Sequence, residues 1–306
     1  MKRCRILPVL VLVLAPGLSA QVEGSTNLSL TVSSLPEAMF TAAQSFTIPM
    51  LRGEGFLTRG NNLRVSFSAS ATPVSLKGAG ELVLSPAAFA QILGGGFISG
   101  GWTMPLGTGV GLNLPQADGS GRIEGGAFDA AVWKAYGGAA LQFDLAALFP
   151  GAWNHVQLRV YQEIGYYAHT GAAEGVSWVF ENDSGENRNG FKYRANYTLA
   201  YEMPDSPVLR TLALQAELYR KLYVETGAFG DDLPYWTFTG LANFQISRRF
   251  SLAAIVQLSL DRNFSDWRYR IDKREDRYYQ YRDLLEDKPL SLNFYRFAGV
   301  FSFKLF

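Results

Sequence analysis

The sequence predicts an all-β fold in which about twelve antiparallel strands, with ten as the alternative, close into a transmembrane barrel. Three observations predict it. Segment after segment alternates apolar with polar side chains, no stretch after the first 20 residues approaches 18 uninterrupted apolar residues, and short connections alternate with long ones. A bilayer can be crossed by apolar helices or by a closed sheet, so a chain without such helices has to use strands if it spans.

The last segment shows the alternation most clearly. In Tyr295–Leu305 every second side chain is large and apolar except for Gly299, and Arg296 and Lys304 lie among the side chains between them. Successive side chains of a strand point to opposite faces. This strand therefore has one apolar wall and one mixed wall.

The chain begins with a segment typical of a secretory signal peptide. Met1–Ala20 carries cations near its start, then the apolar run Ile6–Leu14, then small residues before the expected cleavage after Ala20. The apolar run is too short to cross a bilayer as a helix. Cys4, the sole cysteine, lies within this segment, so we expect residues 21–306 to form the barrel without a disulfide.

The first part of the expected barrel is the hardest to interpret. Residues 21–59 are compatible with N-terminal strands or with a periplasmic segment, whereas Leu63–Ala71 alternates cleanly and predicts a strand. Ser85-Pro86 followed by Ala87–Leu93 predicts an N-capped helical turn, with a continued strand as the alternative. We expect the glycines of 94–101 to relieve crowding and permit sheet curvature.

The second half predicts seven strands with a regular order of connections. The strands are Trp133–Leu145, Val156–His169, Phe191–Met203, Val208–Tyr223, Tyr235–Ile246, Phe250–Leu260 and Leu290–Phe306. The connections alternate between short (Ala146–His155, Pro204–Pro207, Ser247–Arg249) and long (Thr170–Gly190, Glu225–Pro234, Asp261–Pro289). Transmembrane barrels have short periplasmic turns and longer outer loops.

The apolar faces indicate which solvent surrounds the sheet. In a soluble sandwich, the alternative, they would form the core. Few segments here could cover them, however, and aromatic residues collect at the predicted strand ends, as in the aromatic girdles of membrane barrels. Those aromatic residues are Trp133, Tyr166, Tyr167, Phe191, Tyr193, Tyr201, Tyr219, Tyr223, Tyr235, Trp236 and Tyr295.

The alternating last strand, the terminal Phe306 and the order of short turns and long loops make this chain resemble a bacterial outer-membrane β-barrel protein. The resemblance covers the chain from about Leu63 and is strongest after Trp133. It implies an outer-membrane location, with membrane lipid as one partner. It also implies that the barrel-assembly machinery recognises the C-terminal strand, although Phe306 falls in the phase of Lys304.

The polar faces of the clear strands supply the candidate lumen-lining residues. Seven cations and four anions lie there, a net charge of +3. Charged rings set selectivity in pores, so an open lumen would mildly prefer anions; paired charges in a packed lumen are the alternative. The residues are Lys134, Asp144, Arg159, Glu163, Lys192, Arg194, Glu202, Glu217, Lys221, Arg296 and Lys304.

The sequence does not point to an enzyme, a metal site or a cofactor. His155 lies in a short turn, and His169, with Asp183, Asp231 and Asp232 in neighbouring loops, is a weak candidate for a hydrolytic pair. The loop Asp261–Pro289 carries eight cations and eight anions, and this balance argues against nucleic-acid binding.

Two functions remain open at this stage. We expect a porin-like passive channel for small polar solutes or a structural surface protein. The alternative is a narrow packed barrel whose outer loops bind a partner, or, less favoured, a hydrolase at the rim.

Overall fold

The computed structural model describes residues 22–35, 37–105, 107–115, 121–151, 153, 155–181, 183, 185–204, 206–222, 233–263 and 284–305. These residues form seventeen strands and one short 3-10 helix, Leu145–Ala147. The strands are β1 Glu23–Ser33, β2 Ala38–Pro49, β3 Asn62–Ala71, β4 Ser75–Ala87, β5 Ala90–Gly101, β6 Thr103–Met104, β7 Gly107–Thr108, β8 Val110–Pro115, β9 Gly121–Glu124, β10 Ala131–Asp144, β11 Val156–His169, β12 Trp178–Phe180, β13 Gly190–Glu202, β14 Leu209–Lys221, β15 Tyr235–Gln245, β16 Phe250–Arg262 and β17 Leu290–Lys304.

Twelve of the described strands close into one antiparallel barrel, which confirms the predicted fold and strand number. The order around the barrel is β1-β17-β16-β15-β14-β13-β11-β10-β5-β4-β3-β2. Closure is made by β1, in which Leu30 lies opposite Phe40 of β2 on one side and Phe301 of β17 on the other. A closed sheet leaves no unpaired strand edge.

The outer wall of the barrel is apolar. Alternate side chains of every barrel strand point away from the lumen, and many of the large ones are more than half exposed: Phe67 57%, Ile98 60%, Leu141 59%, Leu214 65% and Phe297 56%. A closed sheet with apolar side chains outside and polar side chains inside is the arrangement of a membrane-spanning barrel. No helix among the described residues is long and apolar enough to cross a bilayer.

The last strand departs from simple alternation at one point. A β-bulge lies opposite the step from Gln257 to Leu258, which face Arg296 and Phe294, so that Tyr295 is the extra residue. The bulge reverses the phase of the preceding residues. Phe294 and Phe297 therefore both face outward, with ring centroids 4.8 Å apart.

The start of β1, the end of β17 and the short turns of the second half lie at one end of the barrel. Asn27 near the start of β1 pairs with Lys304 at the end of β17. The first half, for which no order of connections was predicted, differs from the second, because the turns that follow β1 and β3 at the opposite end are also short. We call the end with the start of β1 and the end of β17 the inner end, and the opposite end the outer end.

The helical turn predicted after Ser85 is wrong. Strand β4 continues to Ala87 and returns directly into β5. Pro86 has no N–H to donate to the ladder, and the register between the two strands shifts between Leu84 and Ala87, where the proline lies. The carbonyl of Pro86 instead accepts a hydrogen bond from the side chain of Asn61 at 2.7 Å.

Some sequence predictions fall outside the described residues. These are the signal peptide Met1–Ala20, the terminal Phe306, the acidic residues Asp231 and Asp232, and residues 264–283 of the largest loop.

Candidate functional site

The lumen has two unlike halves. The inward side chains of β4, β5, β10, β11, β13 and β14 include large, charged and aromatic groups, many of them buried. Those of β1, β2, β3, β16 and β17 are mostly small or hydroxylated and partly accessible. We call the first the packed wall and the second the hydroxyl wall.

Glu163 is the centre of the packed wall. Its carboxylate is 4% exposed, pairs with the ammonium of Lys134 and accepts a 2.5 Å hydrogen bond from the hydroxyl of Tyr161. A buried carboxylate is costly unless it is paired and hydrogen-bonded, and here both conditions are met. Below it, Val83, Leu93, Ala140 and the ring of Tyr161 form a small apolar core inside the lumen.

Two further pairs extend this network around the packed wall. The guanidinium of Arg194 donates to Glu217 of the neighbouring strand, with its Nε 2.9 Å from the carboxylate. The hydroxyl of Tyr136 donates to Glu81 at 2.8 Å, and Arg64 lies 3.9 Å from the same carboxylate. Glu81 and Arg64 belong to this network but lie on strands that the sequence analysis did not use for lumen charge.

Inward glycines make room for the tyrosine rings of the packed wall. A Cβ on Gly95 would lie 2.6 Å from the carbonyl oxygen of Gly80 and 2.8 Å from the Tyr136 hydroxyl. A Cβ on Gly138 would lie 2.5 Å from the carbonyl oxygen of Gln162 and 3.3 Å from the Tyr161 ring. Each tyrosine therefore covers a glycine on a neighbouring strand, an arrangement that pins strand register.

Three of the predicted lumen residues lie at the inner end of the barrel. Asp144 accepts from the backbone N–H of Ala146 at 2.9 Å and lies 3.1 Å from Nδ1 of His155, so it caps the short helix of that turn. Glu202 and Lys304 are exposed at the last positions of their strands. These charges border the inner mouth and do not line the middle of the lumen.

Arg159 and Arg296 lie deeper. Arg159 lies over the ring of Tyr161, 5.4 Å from its centroid, and pairs with no carboxylate among the described residues. Arg296 donates from Nε to the side chain of Gln257 at 2.6 Å and pairs with Glu37 of the β1–β2 turn.

The two remaining predicted cations, Lys192 and Lys221, lie near the outer end and are buried among aromatic rings. The ammonium of Lys192 is 4.0 Å from the ring centroid of Tyr167 and 5.3 Å from that of Tyr219. Lys221 donates to the carbonyl oxygen of Glu186 at 2.6 Å, in the connection between β11 and β13. This connection therefore reaches the inward faces of the barrel strands.

The connection 170–189 folds into the outer mouth, where the sequence predicted only a long polar loop. Trp178 at its centre is fully buried and packs edge-to-face on the lumen-facing ring of Tyr167, with centroids 4.8 Å apart. Val110 and Val132 complete the cluster around it. We call this segment, together with β8 and β9, the lid.

The lid is a small sheet fastened to the barrel by polar contacts. Its strands lie in the order β12-β8-β9. Glu181 accepts from the hydroxyl of Ser75 in β4 at 2.7 Å, and Glu186 accepts from the hydroxyl of Tyr235 in β15 at 2.6 Å and pairs with Arg262 at 3.3 Å. The lid is therefore held from opposite sides of the mouth.

His169 and Asp183, two of the candidates for a hydrolytic pair, belong to the fold of this lid. His169 is buried, its Nδ1 accepts from the N–H of Gly171 at 3.0 Å, and its ring lies beside Trp178. Asp183 accepts from the N–H of Gly185 at 2.9 Å and from the side chain of Asn187. Burial raises the pKa of Asp183 from 3.8 to about 6, against the opposing effect of these hydrogen bonds and of nearby Lys192.

The side chains of the hydroxyl wall are small and partly accessible. Pairs of hydroxyls from β2 and β3 face each other across the ladder, such as Thr41 with Ser70 and Ser45 with Ser66, each at 2.9 Å. None of these side chains is buried. Groups of three or more His, Cys, Asp or Glu with metal-ligand geometry do not occur among the described residues.

Comparison with known proteins yields structural likeness only. No family model matches the chain, and no curated protein sequence matches it. One solved structure, NanC porin in a rhombohedral crystal form, has a TM-score of 0.40 and 8% identity, covering 92% of this chain and 100% of that one. The β domain of the Bordetella autotransporter Brka has a TM-score of 0.37 and 8% identity, covering 92% of this chain and 98% of that one. These similarities are too distant to assign a function.

Proposed function

We propose that the protein is an outer-membrane β-barrel that acts as a passive, porin-like channel for small polar solutes. The observation that carries the proposal is the hydroxyl wall, a continuous set of small, accessible polar side chains inside a closed barrel. Twelve strands fall between the eight that side chains fill and the sixteen or more that leave a wide channel. Packing one wall therefore leaves space along the other.

The membrane location is supported by the outer wall. Its exposed leucines, isoleucines and phenylalanines would each lose about 1.5–3 kcal/mol if left in water instead of an apolar environment. At the outer end, Trp133 stacks on Tyr166 and Tyr166 packs edge-to-face on Phe191, with centroids 5.5 and 5.1 Å apart, as in an interfacial girdle. We infer that the inner end is periplasmic because the short turns of the second half lie there.

Lipid and the barrel-assembly machinery are the partners that this proposal requires. The machinery would engage the C-terminal strand β17, as the resemblance implies. Nucleic acid and cofactors have no place in the proposal, and neither has a catalytic reaction. An assay of lipid and peptide hydrolysis with wild type and His169→Ala tests this last point, and activity lost in the variant would contradict it.

Single-channel recording in planar bilayers tests the channel. We expect discrete conductance steps that are blocked when a bulky reagent is attached to a cysteine introduced at Ser66 on the hydroxyl wall. The matched control is a cysteine at Phe67, which faces the lipid on the same strand. An electrically silent bilayer containing folded protein would contradict the proposal.

A second function, binding of an extracellular partner or a purely structural surface role, is favoured by the lid. A structured sheet across the outer mouth restricts passage and presents an ordered surface. If the folded protein is silent in bilayers, this second function replaces the channel.

A further inference from the structure

An apolar groove crosses the outer wall of the barrel over the neighbouring strands β11, β13, β14, β15, β16 and β17. It consists of two adjoining depressions, with volumes of about 630 and 820 Å³, which share Leu199, Leu214, Gly240 and Val256. The lining side chains on the outer face are apolar, and they lie opposite one another on neighbouring strands.

Small residues form the floor of the groove and large ones its walls. Ala216, Gly240, Ala242 and Ala254 face outward between these walls, and the position of a Cβ on Gly240 has nothing within 4 Å. Leu214 and Phe297 rise on either side and are 65% and 56% exposed. On an otherwise convex surface, this shape fits a flexible hydrocarbon chain.

The groove leads toward a cluster of arginines at the inner end. Arg210 precedes Leu212, a wall residue, by two positions on the same strand, or at most about 7 Å, and lies where the register between β14 and β15 shifts from Leu209 to Thr211. The turn that joins β15 to β16 carries Arg248 and Arg249, both exposed. It is fastened to the start of β14, because the N–H of Gln245 donates to the carbonyl of Val208 at 2.7 Å.

We propose that the groove and the arginines together bind one anionic glycerophospholipid, with an acyl chain along the groove and the phosphate at Arg210, Arg248 and Arg249. An apolar groove beside a cationic rim is complementary to a molecule with an apolar tail and an anionic head. Among the described residues at the inner ends of β13–β17, Glu202 is the one carboxylate, so the arginines predominate there. The inference rests on the proposed membrane location and extends it to a specific lipid site.

Native mass spectrometry of the detergent-solubilised protein tests the site with two probes of equal acyl composition, phosphatidylglycerol and phosphatidylcholine. We expect wild type to retain phosphatidylglycerol preferentially. One basic residue near a membrane surface contributes about 1 kcal/mol toward anionic lipid, so Arg210→Gln should weaken phosphatidylglycerol binding about fivefold. Arg220→Gln, outward-facing at the outer end of the same strand, is the matched control and should leave binding unchanged.

The groove is tested separately from the arginines. Gly240→Leu should fill it and reduce retention of both lipids, whereas Gly78→Leu, at another strand position with open space around its Cβ, should not. Equal retention of the two lipids by wild type, or equal retention of phosphatidylglycerol by the two arginine variants, overturns the inference. Either result leaves the proposed channel function unaffected. A dimer dissociated by Gly240→Leu would identify a second copy as the occupant. A protein soluble without detergent would instead refute the membrane location.

Discussion

The packed wall of the lumen depends on positions where no side-chain atom can be added. Gly95 lies under the hydroxyl of Tyr136 and against the carbonyl of Gly80, and both contacts are shorter than a Cβ tolerates. We expect Gly95→Ala to lower the free energy of unfolding by about 1–3 kcal/mol, the usual cost of overpacking. Urea unfolding in lipid vesicles measures it. The control is Gly78→Ala, where the added methyl meets open space; equal losses in the two variants would contradict the argument.

At the residue scale, alternation alone predicts orientation: counting in twos along each strand predicts an inward face for Lys134, Glu163, Arg194 and Glu217. In the structure Lys134 pairs with Glu163, and Arg194 pairs with Glu217. The ion-pair partners of these residues could not be predicted by counting along one strand. Whether Glu163 pairs with Lys134 or with Arg194 depends on strand register, and register is set by contacts between strands that are distant in sequence.

At the scale of elements, the lid is the part that the sequence did not predict. Residues 170–189 are mostly polar and lack regular alternation. The apolar residues around Trp178 and Val179 do not recur at the spacing of a strand or a helix. Trp178 is buried against Val110 and Val132, which lie more than 40 residues earlier in the chain. The bulge at Tyr295 was missed for a related reason, because one extra residue shifts the phase without changing composition.

The lid is expected to depend on Trp178. Removing a fully buried tryptophan costs about 3–5 kcal/mol, which is large for a small sheet, whereas the barrel strands pair independently of it. Trp178→Ala should therefore release the lid and raise the single-channel conductance while heat-modifiable migration in SDS gels stays normal. Trp153→Ala, in an exposed turn at the inner end, is the control. Unchanged conductance in Trp178→Ala would show that the lid does not limit passage.

The lid is also expected to respond to pH through Asp183. Its pKa in the folded lid, about 6, lies above the ordinary 3.8, so the neutral carboxyl is favoured on folding. This contribution is complete below about pH 4 and is lost as pH rises through about 6. Between pH 5 and 7.5 the contribution of Asp183 to the stability of the closed lid falls by the free energy that corresponds to roughly one pKa unit. The closed-to-open ratio of the lid therefore falls about tenfold.

Single-channel closure frequency at the two pH values measures this effect. Wild type should be closed more often at pH 5, and Asp183→Asn, which is neutral throughout, should lose most of the difference. Lys192, Asn187 and the backbone of Gly185 are the groups that face Asp183. The control Glu174→Gln lies in the same connection but is exposed. An identical pH response in wild type and Asp183→Asn would assign the sensitivity to another group.

At the scale of the whole molecule, we expect ion selectivity to depend on which charged side chains in the lumen are paired. The carboxylates of the packed wall are engaged by Lys134, Arg194 and tyrosine hydroxyls, whereas Arg159 has only a ring beneath it among the described residues. An unpaired cation in a confined aqueous space attracts anions. Reversal potentials across a salt gradient should therefore show anion preference in wild type, reduced in Arg159→Gln.

The same interaction fixes how that preference depends on salt. The Debye length falls from about 10 Å at 0.1 M to about 3 Å at 1 M, so the difference between wild type and Arg159→Gln should be large at low salt and nearly vanish at high salt. Arg210→Gln removes an equal charge from outside the barrel and should leave the reversal potential unchanged. If Arg159→Gln also leaves it unchanged at 0.1 M, permeating ions do not pass Arg159, and the accessible path is confined to the far side of the hydroxyl wall.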